Sequence, residues 1–291
     1  MSEVDEFVAL QPKLFGVAYR MLGSVTDAQD VVQEAFLRWQ ATDRARVRSV
    51  DAFLTTTVVR IAIDQLTSAR ARRESYVGPW LPEPLLVDDD DPARLVELAD
   101  TLSMAFLVLL ETLSPLERAA LLLRDVFEYD YDEIAEMLDR TPTTCRQLVS
   151  RARRSVAQRR RRFDADHQRG REIARRFAEA CLAGDTDGLL ALLAADVTLW
   201  TDGGGKVKAA LRPINGAEKV ARFLIGIAPT VPSHARLHEV VLNGQPGLVL
   251  TVDDGPIAAA TLDILDGRII ALHFVNNPEK LEALALRLST T

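Results

Sequence analysis

Cysteine is scarce in this 291-residue chain: Cys145 and Cys181 are the two present, and they form no C-x-x-C pair. That excludes a disulfide scaffold and fits a reducing compartment. Long hydrophobic runs are missing too. No stretch approaches the roughly 20 unbroken apolar residues of a membrane span, so no membrane partner is expected. The start, MSEVDEFVALQPKLF, is acidic and has no basic segment followed by an apolar run, so no signal peptide is predicted and a cytoplasmic location is expected. Histidine is sparse. His234 and His238 would share one strand face with Arg236 between them, a poor metal site, and neither metal nor cofactor is predicted. Positive charge is short overall, at a net −7.

Hydrophobic residues make up 48% and charged residues 26%, ordinary globular values that exclude a wholly disordered or collagen-like chain. At about 150 residues per domain the length allows roughly two domains, or three small ones. The charge deficit is unevenly spread. Residues 141–170 hold nine arginines against Asp164 and Asp166, while 81–100 and 101–140 are both strongly acidic. A local basic stripe, not the total, sets the field that a DNA phosphate feels.

Four segments follow one another. Residues 1–75 read as helices from apolar spacing at three and four, with Leu14, Val17 and Met21, then Val31, Val32 and Ala35, then Leu54, Val58 and Ile61. Thr26 is the expected N-cap of the second helix. Residues 76–100, containing GPWLPEPLLVDDDDP, are a linker, since prolines block helix and adjacent aspartates repel. Trp80 and Leu81 are costly to leave in water, which favours docking of this linker on another surface. Residues 101–163 are helical again, with Ser114-Pro115 starting one helix and Thr141-Pro142 another. Residues 167–291 read as helices and an antiparallel meander, an α+β domain with strands expected at 197–201, 207–211, 236–242, 248–252, 257–265 and 269–275. Asn243-Gly244, Asp254-Gly255 and Asp266-Gly267 are the hairpin signals among the last four. An amphipathic helix is expected at 278–288.

The densest chemistry lies at 130–160, where a short acidic helix, a turn and an Arg-rich helix have helix-turn-helix spacing. The second helix would show Thr143, Arg146, Gln147 and Ser150, types suited to base edges, with Arg151, Arg153 and Arg154 at phosphate height. The plainer reading is a helical hairpin with a solvated basic face. Asp27, Asp30 and Glu34 share one helix face with Gln33 at its edge, and spacing alone leaves that face merely solvated.

DAQDVVQEAFLRW resembles the polymerase-binding helix of bacterial sigma factors. AFLTTTVVRIAIDQLTSARARRE resembles their −10-reading helix, and LSPLERAALLLRDVFEYDYDEIAEMLDRTPTTCRQLVSRARR is similar to their −35-reading helix-turn-helix. The order and spacing over residues 5–162 resemble the short extracytoplasmic-function type. WLPEP, Asp202-Gly203-Gly204-Gly205-Lys206 and Asn277-Pro278-Glu279-Lys280-Leu281 resemble the marks of the subgroup with a SnoaL-like C-terminal extension. Glu279 replaces a more usual Asp, and Phe53 a more usual Trp.

The resemblance implies two all-α sigma domains followed by an α+β SnoaL-like cone or barrel domain, with core RNA polymerase and promoter DNA as partners. It implies that Asp27, Asp30, Gln33 and Glu34 face polymerase. It places Trp39 with Arg44, Arg46 or Arg48 near the strand-opening site, and Arg60, Arg70, Arg72 and Arg73 along the −10 backbone. Trp80, Leu81 and Pro82 would meet Asp202–Lys206 and Asn277–Leu281 as regulatory contacts, although the glycine run read alone is a flexible hairpin. No catalytic residue is assigned. Asp196, Trp200 and His273 are candidates to line a pocket that could take a small-molecule ligand. Two other readings stay open: a DNA-binding module fused to a cyclase- or isomerase-like enzyme domain, and a helix-turn-helix repressor with a ligand-sensing domain.

Overall fold

The computed structural model describes residues 3–43, 45, 47–74, 76–87, 101–157 and 167–288, with backbone alone at 3–4, 69–74, 167 and 286–288. The chain divides into two compact units. One gathers residues 1–75 and 107–160, the other residues 76–106 and 161–291. The described part of the linker therefore belongs with the C-terminal unit.

The helical unit begins with α1 (Glu3–Leu22), α2 (Val25–Gln40) and α3 (Val50–Glu74). Ser24, not Thr26, caps α2: its hydroxyl accepts the Asp27 N–H, and Thr26 falls inside the first turn. The helix α4 (Met104–Leu110) straddles the boundary between the units in sequence. It is followed by α5 (Pro115–Asp125), α6 (Tyr131–Leu138) and α7 (Pro142–Ala157). Capping boxes start α5 at Ser114/Glu117 and α6 at Asp130/Glu133, each cap stabilising its helix by about 1 kcal/mol. Asp139, in the left-handed region at φ 53°, ends α6 and sets the turn into α7.

Polar bridges join the first three helices to α5–α7 inside this unit. Lys13 Nζ donates to both Asp51 carboxylate oxygens (2.8 and 2.7 Å) and to Tyr129 Oη (2.7 Å). Burial works against the Lys13 charge, but these partners outweigh it and raise its pKa. Arg118, 3% exposed, donates to the Met21 carbonyl and, at 2.7 Å, to Glu111. Burial pulls its pKa down to about 9.

The C-terminal unit contains α8 (His167–Ala183), α9 (Thr186–Leu192), β1 (Leu193–Asp202), β2 (Ile214–Asn215), α10 (Ala217–Ile227), β3 (Arg236–Leu242), β4 (Gln245–Val252), β5 (Gly255–Leu265), β6 (Arg268–Val275) and α11 (Pro278–Leu288). Its sheet has the order β2-β1-β6-β5-β4-β3. The meander expected from the hairpin signals holds for β3–β6, but β1 pairs with β6 in parallel, so the sheet is mixed. The strand expected at 207–211 does not form. Thr201 Oγ1 accepts the Ala210 N–H at 2.7 Å, so a side chain takes the place of a ladder, and the short strand falls at Ile214–Asn215 instead.

Val197, Leu199, Leu248, Ala260, Leu262, Ile269 and Leu272 share one core with residues of α8, α9 and α10. Strand alternation sends Trp200, Asp202, Thr261, Asp263 and His273 to the opposite face. There His273 stacks on Trp200 at 5.0 Å. Burial pulls its pKa down to about 3.

Candidate DNA and polymerase surfaces and a linker clasp

The basic helix α7 is held by Cys145, Leu148, Val149, Ala152 and Val156, all buried. That spacing leaves Thr143, Arg146, Gln147, Ser150 and Arg154 on one exposed face, with Arg151 and Arg153 at its two edges. Thr141 caps α7 as its sequence predicts, accepting the Thr144 N–H at 3.2 Å. The Arg146 guanidinium lies over the Tyr131 ring, 5.0 Å from its centre, and Arg124 lies over the same ring at 5.0 Å. Arg153 is engaged by Asp125 in a bidentate pair at 2.6 and 3.0 Å, and Arg151 sits 3.9 Å from Glu117. Sequence spacing cannot show Tyr131 or Asp125, because both come from preceding helices.

On α2, Asp27, Asp30, Gln33 and Glu34 are all exposed, and Leu37 extends the same side at 56% exposure. Arg38 pairs with Glu34 one turn away. Trp39 requires a correction. It is 1% exposed and packs against Phe53 at 5.6 Å, so its ring is a core element here and not a platform for a base. The buried side of α2 is apolar, formed by Val25, Ala28, Val31, Val32 and Ala35, and Trp39 falls on that side. Arg60 donates to the carbonyls of Met137 (3.0 Å) and Glu136 (3.2 Å) at the end of α6. Arg48 is exposed. Arg44 and Arg46 lie outside the described residues, as do the side chains of Arg70, Arg72 and Arg73.

The three marked segments of the C-terminal unit meet at Asp202, which is fully buried. Asp202 Oδ1 accepts from Tyr76 Oη (2.6 Å) and the Gly204 N–H (3.0 Å). Asp202 Oδ2 accepts from the Leu81 N–H (2.8 Å) and from Lys280 Nζ (2.7 Å). Lys280 also donates to the Leu81 carbonyl, and its ammonium sits 4.2 Å from the centre of the Trp80 ring and 4.9 Å from that of Tyr76. Leu81 is 1% exposed and Pro82 is buried. Burial, then the Asp202 carboxylate, push the Tyr76 phenol well above its usual range.

Each glycine of the run has a steric reason. A Cβ on Gly203 would meet the Val207 carbonyl at 2.5 Å. One on Gly204 would meet Asn277 at 2.4 Å, and one on Gly205 would meet Val77 at 3.2 Å. Gly204 and Gly205 also have φ of 60° and 73°. The run is thus a fixed turn against the linker, not a flexible hairpin. Lys206 pairs with Glu279. Asn277 caps α11 by accepting the Glu279 N–H (3.2 Å), Pro278 takes the first helical position, and Leu281 is buried at 2%. Tyr76, missed in the sequence, receives the Asn277 side-chain N–H at 3.0 Å. Asn243, also missed, holds the other end of the linker by accepting the Leu85 N–H (3.0 Å) and donating to the Leu102 carbonyl (3.2 Å).

An apolar cavity lies between the sheet and α8 and α10. Its lining includes Phe177, Cys181, Leu224, Ile227, Leu250 and Phe274. Asp196, Trp200 and His273 are not in it. The pocket expected to carry them is lined by the other sheet face, since side chains alternate along a strand. Among the described residues no cluster of three or more His, Cys, Asp or Glu is placed to hold a metal, and no helix is long and apolar enough to cross a membrane.

Residues 7–72 match the family Sigma-70 region 2 and residues 103–156 match Sigma-70, region 4. Those modules, one ending in an exposed basic helix, define a sigma factor. Along 96% of its length the chain is 39% identical to the ECF RNA polymerase sigma factor SigJ of Mycobacterium tuberculosis strain H37Rv, covering 93% of that protein. It is 32% identical to the probable ECF RNA polymerase sigma factor SigI of the same strain, over 94% of this chain and 93% of SigI. The crystal structure of M. tuberculosis SigJ matches with a TM-score of 0.76 at 37% identity, over 96% of this chain and 98% of that one. The chain belongs to the extracytoplasmic-function sigma factors of bacterial RNA polymerase, in a form whose helical modules are followed by a sheet domain.

The clasp makes a direct prediction. Lys280→Met leaves the buried Asp202 carboxylate without its cation and should destabilise the C-terminal unit by about 3 kcal/mol. Tyr76→Phe removes one hydrogen bond to a charged group, about 2 kcal/mol. Amide hydrogen exchange at Leu81 should accelerate in both variants. Unchanged Leu81 exchange in Lys280→Met would contradict the clasp.

Proposed function

We propose that this sigma factor reads its promoter through the exposed face of α7, binds core RNA polymerase through the acidic face of α2, and is regulated by the grip of its sheet domain on the linker. The single observation that carries the regulatory part is the Asp202 cluster, which holds Tyr76 and Leu81 with a buried carboxylate and a lysine. The linker, residues 76–100, joins the two helical modules that read −10 and −35 elements. Promoter elements lie at a separation fixed by the DNA helix. A domain that fixes the linker's path thereby controls how the modules span them. Burying Leu81 alone contributes about 2 kcal/mol. The role places the protein in the cytoplasm with its polymerase.

The lining of the apolar cavity speaks against the fused-enzyme reading. Its one titratable side chain is Cys181, whose thiol burial pushes up to about 12, too high for a base near neutral pH. Asp263 and His273 lie 3.9 Å apart but are buried on the opposite sheet face.

Three tests follow from these assignments. Charge reversal at Asp30 and Glu34 should abolish co-purification with core polymerase while circular dichroism stays unchanged; normal co-purification would sink the α2 assignment. In DNA binding, Arg146→Ala should lose about 1–3 kcal/mol at one promoter position. Tyr131→Leu, which removes the ring under Arg146, should lose part of the same discrimination, and Tyr131→Phe should keep it. Equal losses on specific and random DNA would place the reading face elsewhere. For regulation, run-off transcription with core polymerase should change in the same direction for Trp80→Ala and for the Gly203/Gly204/Gly205→Ala triple variant. Combining them should add little, because both break one contact. Full additivity would show that the linker and the glycine turn act separately.

A further inference from the structure

The arginines of α7 are held in different ways. Arg146 and Arg153 lie two helical turns apart, so they stand on one side of the helix, separated by about 10 Å along its axis. Arg146 rests on the Tyr131 ring at 5.0 Å, a neutral support that it shares with Arg124. Arg124 is tied down in turn, since its Nη1 donates to the Tyr129 carbonyl at 2.8 Å. Arg153 is held by a charge instead. Its Nε and Nη2 donate to the two carboxylate oxygens of Asp125 at 3.0 and 2.6 Å, a two-pronged pair that fixes the plane of the guanidinium. Asp125 is the last residue of α5, and the hydrogen bonds it accepts raise the Arg153 pKa. The Arg153 side chain is nevertheless 54% exposed. Its Nη1 group takes no part in the pair and is left to a DNA phosphate.

A carboxylate at the edge of a DNA-facing surface acts in two opposing ways. It cancels a cation, which weakens every phosphate contact whatever the sequence. It also presents Nη1 at one fixed place, so that the ordering of a long side chain is already complete before DNA arrives. A phosphate at that place gains from the second effect. A phosphate anywhere else can be reached only if Arg153 first leaves Asp125. On random sequence Arg146 finds no matching base edge and α7 samples many registers, so Arg153 has to leave. Glu117, near Arg151 at the other edge of α7, does not do the same. Its oxygen is 3.9 Å from Arg151 Nε, too far for a hydrogen bond, and Glu117 serves the Ser114 capping box.

We propose that Asp125 is a specificity-determining residue: it withholds Arg153 from random phosphates and presents it to the one phosphate within reach when Arg146 is on its base. The residue lies outside the reading helix and acts through Arg153, so it is a positioning residue. This inference deepens the reading of α7 as the promoter-reading helix and rests on it.

The test titrates the full-length protein by fluorescence anisotropy, across a salt series, against two duplexes of equal length. One is a duplex that the wild type selects from a random pool; the other is a random sequence. Asp125→Asn keeps the shape and removes the charge. It should bind the random duplex about two- to fivefold tighter, the range that an exposed ion pair spans. Its log–log salt slope there should steepen by roughly 0.9, as one more phosphate is neutralised. Affinity for the selected duplex should stay level or fall, so the ratio of the two affinities drops. Arg153→Lys, which keeps the charge but cannot form the two-pronged pair, should lower the same ratio. In an Arg153→Ala background, Asp125→Asn should leave the ratio where it is, whereas a merely structural role at the end of α5 would still show. The inference is overturned if Asp125→Asn shifts both duplexes by the same factor, if it favours the selected duplex, or if its effect on the ratio persists without Arg153. A wild type that enriches no sequence, or an Arg146→Ala variant that binds the selected duplex as well as the wild type does, overturns the α7 reading itself and this inference with it.

Discussion

A single buried carboxylate organises the C-terminal half of this protein. Asp202 is fully buried and accepts four hydrogen bonds, from Tyr76, Gly204, Leu81 and Lys280. A lone ionised carboxylate in such a place is strongly unfavourable; it is tolerated when paired and fully hydrogen-bonded. The four groups that satisfy it come from three stretches of chain: Tyr76 and Leu81 from the linker, Gly204 from the glycine turn and Lys280 from the last helix. The charge therefore makes the three stretches interdependent. Remove one and the others are left holding an uncompensated charge. The capping of α11 by Asn277 and the steric need for Gly203, Gly204 and Gly205 are consequences of the close approach that this carboxylate demands.

Much of this was legible in the sequence, for reasons that differ by element. Helices α1–α3 and α5–α7 follow from apolar spacing and from caps such as Ser114 and Thr141, which act over three or four residues. The hairpins β3–β6 follow from Asn-Gly and Asp-Gly turns, which are equally local. The parallel pairing of β1 with β6 was not legible, because β1 and β6 are about 70 residues apart and nothing local encodes the pairing. Trp39 was misread for a related reason. An aromatic residue beside a basic loop suits both a base platform and a core, and its burial against Phe53 depends on how α3 packs. Tyr76 and Asn243 left no signal of their own. Their roles exist because the linker runs past them.

The helical unit shows a second layer of restraint. Arg60 is engaged by carbonyls at the end of α6, Arg153 by Asp125, and Lys13 by both Asp51 and Tyr129. Two of the arginines expected to meet DNA, Arg60 and Arg153, are thus already engaged by partners within the protein. These exposed pairs are individually weak. Exchange of such a pair for a phosphate is accordingly inexpensive. Arg118 differs. It is buried against the Met21 carbonyl, and its loss would open the unit rather than merely free a side chain.

The linker is gripped by its backbone. Asp202 takes the N–H of Leu81, and Lys280 takes the carbonyl of the same residue. Pro82 and Pro84, which have no N–H to offer and a fixed φ, hold the segment extended on either side of Glu83. A strand that is already extended loses little conformational freedom when it docks. Docking remakes several bonds at once: those of Leu81 with Asp202 and Lys280, of Tyr76 with Asp202 and Asn277, and of Leu85 with Asn243. The joint between the promoter-reading modules is in this sense a latch: it opens by releasing one short extended segment from Asp202 and Lys280, not by unfolding a domain.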